Sequence, residues 1–450
     1  MKSRFQSINE LEQFLDHYLN FEKHPQKNIF WLDTVRFFCE KLGNPQKSAK
    51  CVHVAGSKGK GSVSVFSASI LNAAGFKTGL YTSPHLLDFA ERVRSAEDFL
   101  SDAVYKAASD ELIATVRKVS DSELPGGRAI TWFELVTLFA FLCFRQFGAD
   151  WSVFEVGLGG RLDATNVILP EVCCITPLEL EHTEFLGDTL EKIATEKCGI
   201  IKKGIPVVTS AQKTEALSVI KKVAAERESH LLVLPEIAEI KSKIAKNDFG
   251  EFTQKTTILS PIFSKPIHAD LKLLGKEQAE NAALAAIAIK TAYPNISDEQ
   301  LEKGLSAAFL PARFEIVPSV PKFPEIPFLV IDGAHTVNST KCLLETLFSL
   351  QTEKKPDLLF ACAADKDVED IAELLAPEFD KITLTIPGEV KKADFERTKN
   401  AFLRVHADFL CGEQFSEMIT ASLLSANERK VPLVVCGSFY LAAEVKKILL

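Results

Sequence analysis

The stretch His53-Val54-Ala55-Gly56-Ser57-Lys58-Gly59-Lys60-Gly61-Ser62 decides how this chain reads. An apolar β-rich run at 51–55 leads into it, and helix-length periodicity starts at Val63. Glycines let consecutive backbone N–H groups converge on one point, and a helix N-terminus adds the positive end of its dipole. Such a loop is a phosphate cradle, in which Lys60 reaches the β- and γ-phosphates of a nucleotide and Ser62 touches its Mg²⁺. Two positions depart from the strict Walker pattern: Val54 stands at its first glycine and Gly61 at its Ser or Thr. The competing reading is a glycine-rich turn that binds nothing, and the strand–loop–helix context favours phosphate.

Outward from this loop, the alternation continues. Short β-rich runs at 78–82, 152–156, 172–176, 206–209 and 230–234 are separated by helical stretches such as 63–74, 132–147 and 190–198. A second series of strands follows at 328–331, 358–361, 382–385 and 432–436, closed by a helix over 438–449. Alternation of this kind predicts parallel α/β sheets. Pro311, Pro318, Pro321, Pro324 and Pro327 interrupt the pattern, which suits a hinge between two sheets. The expected division is a first domain over 1–308, a linker over 309–315 and a second domain over 316–450. The 236–272 segment, with several short β-like runs, reads as a small antiparallel insert.

The chain has 450 residues, 46% of them apolar and 25% charged, which excludes a disordered or fibrous protein. Acidic side chains outnumber basic ones, 60 to 52, and the net charge of −8 argues against a nucleic-acid surface. The first residues lack an apolar core of secretory length. The richest apolar stretch, 131–144, is too short for a membrane span and carries Glu134. Ten cysteines are scattered without a CxxC pair, so they read as reduced core residues of a cytoplasmic protein with no membrane association.

In an open α/β sheet, ligands bind beyond the carboxyl ends of the strands. Ser83, Glu155 and His182 all fall at or soon after such ends. Singly, the serine caps a turn, the glutamate pairs with a lysine and the histidine packs in a core. Together, a hydroxyl, a carboxylate and an imidazole beside a phosphate loop form a cation site, although a histidine is an unusual ligand for Mg²⁺.

With these residues goes a series of ordered segments. They include Leu42-Gly43-Asn44-Pro45-Gln46, Thr82-Ser83-Pro84-His85-Leu86, Thr131-Trp132-Phe133-Glu134 and Gly157-Leu158-Gly159-Gly160-Arg161-Leu162-Asp163-Ala164-Thr165-Asn166. Further along are His182-Thr183-Glu184, Glu196-Lys197-Cys198-Gly199, Pro311-Ala312-Arg313-Phe314-Glu315, Asp332-Gly333-Ala334-His335 and Gly437-Ser438-Phe439. In this order, over nearly the whole chain, they resemble the Mur-ligase superfamily and, within it, folylpolyglutamate synthase/dihydrofolate synthase. The resemblance implies an N-terminal P-loop, three-layer ATPase-like domain and a smaller C-terminal Rossmann-like α/β domain that binds glutamate. It also implies an ATP-dependent ligase, joining L-glutamate to the carboxylate of a folate, or of dihydropteroate, through an acyl phosphate.

Residue by residue, it implies that Lys58, Gly59, Lys60, Gly61 and Ser62 cradle the triphosphate. Ser83, Glu155 and His182 would hold two Mg²⁺ ions, joined by Lys197 as a carbamate that turns a cation into an anionic ligand; otherwise Lys197 is a surface lysine. Asn281, Arg313 and Asp332 match positions that contact ATP, so nucleotide contacts would come from both domains. Lys60, Lys197 and His335 match catalytic positions, His335 either assisting at the transferring phosphate or capping the next helix. Thr131, Leu162 and the region near Trp31 match the folate site, with Phe133 and Glu134 serving there or in core packing. Relatives of this kind are usually monomers.

Several positions depart from the pattern: Lys58 stands where Asn is usual, Glu181 where Asp is usual before the histidine, and Cys198 where Ala is usual. The rival readings are a Mur-type ligase with a different carboxylate acceptor and a P-loop nucleotide switch without ligase activity. The 55 residues before Gly56 are too few for the sugar-nucleotide domain of a peptidoglycan-precursor ligase.

Overall fold

A computed structural model describes residues 3–20, 31–248, 250–389, 391–405 and 408–449. The chain forms two compact units. The first comprises Met1–Lys241, Thr257–Ala269 and Glu280–Ala308, and the second Ser242–Thr256, Asp270–Ala279 and Phe309–Leu450.

The first unit is built on a sheet of seven strands: β1 (Lys50–Ala55), β2 (Thr78–Tyr81), β3 (Val93–Ser95), β4 (Trp151–Glu155), β5 (Val172–Ile175), β6 (Val207–Thr209) and β7 (Leu231–Val233). Their order is β3-β2-β4-β1-β5-β6-β7, parallel except for β3, which runs antiparallel to β2 at the edge. The two-residue period sends Cys51, His53 and Ala55 of β1 to one face and Val52 and Val54 to the other. Cys51 joins the core formed with the apolar helix Trp132–Phe147, and Ala55 the core formed with Leu190–Cys198 and Thr214–Glu226. Because the chain leaves β1 for β2 on one side and later reaches β5 on the other, the sheet order reverses at β1. That reversal opens a crevice at the carboxyl ends of β4, β1 and β5.

Three further strands, β8 (Glu239–Lys246), β9 (Phe252–Leu259) and β10 (Ile267–Leu271), form a small sheet in the order β10-β9-β8 where an insert was expected. The second unit's sheet contains β11 (Glu315–Val317), β12 (Leu329–Ile331), β13 (Asp357–Phe360), β14 (Ile382–Leu384), β15 (Leu410–Cys411) and β16 (Leu433–Cys436). Its order is β11-β12-β16-β13-β14-β15, with β11 antiparallel and the rest parallel. Val330, Leu358, Phe360 and Val434 pack there under Leu343, Leu347, Ile371 and Phe402 of the covering helices. Strands β3, β11 and β15, absent from the sequence reading, are two- or three-residue edge strands too short to show a period.

All ten cysteines are free thiols, eight of them buried, as the scattered spacing predicts. Among the described residues no helix is long and apolar enough to cross a membrane.

Candidate active site

The glycine loop leaves β1 at Gly56, whose φ of 151° is joined by a close approach: a Cβ there would lie 1.8 Å from Thr176 Oγ1. Gly59, at φ 82°, is the N-cap of the helix Lys60–Ala73. That helix begins three residues before the expected Val63, because its first turn is polar and leaves no apolar period to read. Ser57 and Lys58 donate their backbone N–H groups to the Pro177 carbonyl, at 3.0 and 3.2 Å. The N–H groups of Lys60, Gly61 and Ser62 have no partner inside the helix and make its anion-binding end. Asn281 closes over this end: a Cβ on Gly59 would meet its Oδ1 at 2.6 Å. The sequence reading placed Asn281 at the nucleotide, and it lies against the phosphate loop.

Two lysines converge on one carbonyl. Lys60 Nζ donates to Gly56 O at 2.9 Å, and Lys197 Nζ donates to the same oxygen at 2.8 Å. Lys197 also pairs with Glu181 Oε1 at 3.0 Å. It is 2% exposed, so the surface-lysine alternative is wrong: its helix turns this residue inward behind the loop. Burial, reinforced by the Lys60 charge and only partly offset by Glu181, lowers Lys197 to about 8. Burial acts to raise Glu181, but Lys197 and Lys60 outweigh it and hold the carboxyl below its ordinary value.

At the end of β4, Glu155 is buried and its Oε2 accepts the Ser83 N–H at 3.1 Å. This brings two of the four expected metal ligands together. His182 follows Glu181 at a left-handed φ of 48° and heads the short helix Thr183–Leu186. Among the described residues no group of three or more His, Cys, Asp or Glu side chains is arranged to hold a metal. The donors beside the loop are instead a hydroxyl, one carboxylate, one imidazole and a lysine. That set becomes a strong oxygen site for a hard cation once Lys197 carries a carboxylate. Its lowered pKa, which raises the share of neutral amine, and its place behind the loop fit such a group.

Beyond Glu155 the chain turns through Gly157–Leu162 and walls a cavity of about 690 Å³. Trp31, Leu158, Leu162 and Phe185 line it with two guanidinium groups, Arg36 paired with Asp33 and Arg161 with Glu196, and with Glu184. Leu162 is thus on the cavity, as is Trp31; residues 21–30 before Trp31 lie outside the described part. Thr131 is not among the cavity's lining residues. It is the N-cap of Trp132–Phe147, exchanging hydrogen bonds with Glu134, which in turn holds Arg128 at 2.5 Å. Arg128 donates to the Trp31 carbonyl at 3.1 Å and ties the cavity rim to that cap. Phe133 sits over Gly157, where a Cβ would meet the ring at 2.4 Å.

In the second unit, Asp332 is buried and accepts the N–H groups of Phe314 and Ala334 at 2.5 and 2.6 Å. Burial raises its carboxyl against the opposing pull of Arg313. The Arg313 guanidinium lies 4.5 Å from the Phe439 ring centroid, an aromatic seat. His335 Nδ1 donates to the Gly333 carbonyl at 2.7 Å. Its capping alternative falls: Thr336, one residue on, caps the helix Val337–Ser349.

The sequence reading passed over Glu181 as a variant position, although it holds Lys197. No spacing links the two, and only the fold brings them to 3.0 Å. Asp163 was likewise missed as a loop holder: its carboxylate accepts the N–H groups of Gly157, Leu158 and Thr165.

The Mur ligase middle domain family matches residues 54–289, and the Mur ligase glutamate ligase domain family matches residues 312–439. The chain is 32% identical to the dihydrofolate synthase/folylpolyglutamate synthase of Bacillus subtilis, over 90% of this chain and 92% of that protein. It is 32% identical to the folylpolyglutamate synthase of Lacticaseibacillus casei, over 91% and 92%. Among solved structures, the Mycobacterium tuberculosis folylpolyglutamate synthase complexed with ADP aligns over 98% of both chains, with a TM-score of 0.84 and 25% identity. A folylpolyglutamate synthase complex with AMPPCP and folate aligns over 98% of this chain and 99% of that one, with a TM-score of 0.79 and 28% identity. With both domain families in order and this identity along nine-tenths of its length, the chain belongs to the folylpolyglutamate synthase/dihydrofolate synthase family of Mur ligases.

Proposed function

We propose that this ATP-dependent amide ligase activates the carboxylate of a folate as an acyl phosphate and joins it to L-glutamate, using the constellation around Gly56. The carrying observation is Lys197, buried, paired with Glu181 and sharing the Gly56 carbonyl with Lys60. A lysine that its own burial, and then the Lys60 charge, disfavour as an ammonium is suited to take up CO₂ through its neutral amine, and the carbamate removes the repulsion.

In this reading the N–H groups of Lys60, Gly61 and Ser62 bind the β- and γ-phosphates, Asn281 closes the loop from outside, and Lys58 adds charge at its rim. Lys60 exchanges its loop carbonyls for phosphate oxygens when nucleotide arrives. Ser83, Glu155, His182 and the Lys197 carbamate are the residues that would hold two Mg²⁺ ions, which when bound neutralise phosphate charge. The acceptor lies in the cavity beside Leu158 and Leu162, its flat heterocycle against Trp31 and Phe185 and its acidic end near the guanidiniums. Thr131 contributes by fixing the rim through Glu134 and Arg128.

A carboxylate oxygen of the acceptor attacks the γ-phosphorus and ADP leaves. The α-amine of glutamate then attacks the acyl carbon, phosphate departs with the C–O electron pair, and the amine gives up a proton. Arg313 and Asp332 are assigned to the nucleotide, and His335 to the transferring phosphate. Dihydropteroate is a second acceptor in this proposal, and the active form is a monomer in the cytoplasm.

Phosphate release with ATP, Mg²⁺ and glutamate tests the reading, comparing tetrahydrofolate with dihydropteroate. Release dependent on either acceptor is expected. Release with tetrahydrofolate alone would reduce the activity to chain extension, and none with either would defeat the folate reading.

A further inference from the structure

His53 takes no part in the chemistry above, yet it sits at the centre of β1, paired in register with Phe154 and Cys173, with no exposed surface. An imidazole on the strand face it shares with Cys51 and Ala55 is costly to bury unless it is hydrogen-bonded. Its Nε2 lies 2.8 Å from Thr165 Oγ1, and Thr165 Oγ1 lies 2.5 Å from Asp163 Oδ1. Thr165 gives its single hydroxyl hydrogen to the carboxylate, so it accepts from His53, and the imidazole proton is on Nε2. Burial, aided by Lys202, keeps this ring neutral by lowering it to about 3. Its Nδ1 is then a buried lone pair without a hydrogen-bond partner. An apolar residue would avoid that cost, so stability alone does not account for a histidine here.

The chain of bonds ends at functional ground. Asp163 Oδ2 accepts the N–H groups of Gly157 and Leu158, at 3.0 and 2.9 Å, two and three residues past Glu155. These residues open the turn whose Leu158, Arg161 and Leu162 wall the cavity. We infer that His53 is a positioning residue for the acceptor: through Thr165 and Asp163 it holds the 157–162 turn in its acceptor-binding shape. This rests on the reading of the cavity as the acceptor site.

The test uses the full chain with His53→Leu and His53→Gln, and with Thr165→Val and Thr165→Ser as a second pair should the leucine variant not fold. Steady-state phosphate release is measured with ATP, Mg²⁺, glutamate and tetrahydrofolate. His53→Leu and Thr165→Val are expected to raise the KM for tetrahydrofolate roughly tenfold, with the KM for ATP within about twofold of wild type. Gln and Ser, which keep the donor and the hydroxyl, recover most of that loss. An equal rise in both KM values, an unchanged acceptor KM, or no recovery by the conservative pair would overturn the inference. Wild-type turnover separates the two readings: a wild-type protein inert towards tetrahydrofolate removes the acceptor site itself. Normal wild-type kinetics with indifferent variants removes only the role of His53.

Discussion

The carboxyl ends of the two sheets solve the same problem differently. At β12, the buried Asp332 is compensated where it stands, by two backbone N–H groups and the Arg313 charge. At β1, charge is crowded instead: Lys60 and Lys197 point at one carbonyl oxygen, and Glu181 pairs with the deeper one. A compensated group is a fastener. A crowded pair of cations is poised to receive anionic groups, whether a carbamate or a phosphate, and relaxes when it does.

The sharpest way to break this contrast is Glu155→Ala. The carboxylate it removes accepts the Ser83 N–H, and ligation is expected to fall by roughly 10³-fold or more in a phosphate-release assay. Activity near wild type would show that the crowded end is no more chemical than the compensated one. Lys197→Ala comes next, with a loss of about 10²- to 10³-fold that added short carboxylates partly restore. Restoration by neutral amides as well would argue for packing rather than charge.

The crowding also has a pH signature. With Lys197 lowered to about 8, the folded chain binds fewer protons than the unfolded one between about 8 and 10.5. Stability of unmodified protein should therefore rise with pH across that window. Activity after CO₂ removal should recover faster at pH 8.5 than at pH 6.5 when dissolved CO₂ is held at the same concentration, since only the neutral amine reacts. Equal recovery rates would count against the carbamate.

Smaller effects are expected at the compensated end. Arg313→Ala should raise the KM for ATP roughly tenfold and the acceptor KM less, the reverse ranking indicating a misassigned arginine. Asp332→Asn keeps one acceptor oxygen and loses the other, a cost of about 1–2 kcal/mol in denaturant unfolding. A loss several times larger would mean that Asp332 carries more than its two N–H groups.

Much of this molecule was legible before its structure. Alternation of short apolar runs with helical periods identified the long strands of both sheets, because a strand buried on two faces must be apolar along its length. The glycine spacing around Gly59 marked the phosphate loop, since only glycine accepts its backbone angles beside Asn281. Ordered motifs marked Ser83, Glu155, His182 and Lys197. Tertiary structure alone decided which neighbours those residues meet. Lys197 is buried because its helix packs behind the loop, and Glu181 reaches it only through that packing. Thr131 is spent as a helix cap rather than on the cavity, and His53 reads as one more strand residue until Thr165, 112 positions later, lies against it. Periodicity and spacing are local properties of a chain. Burial, pKa and long-range hydrogen bonds depend on which distant segments the fold brings together, and no local pattern encodes them.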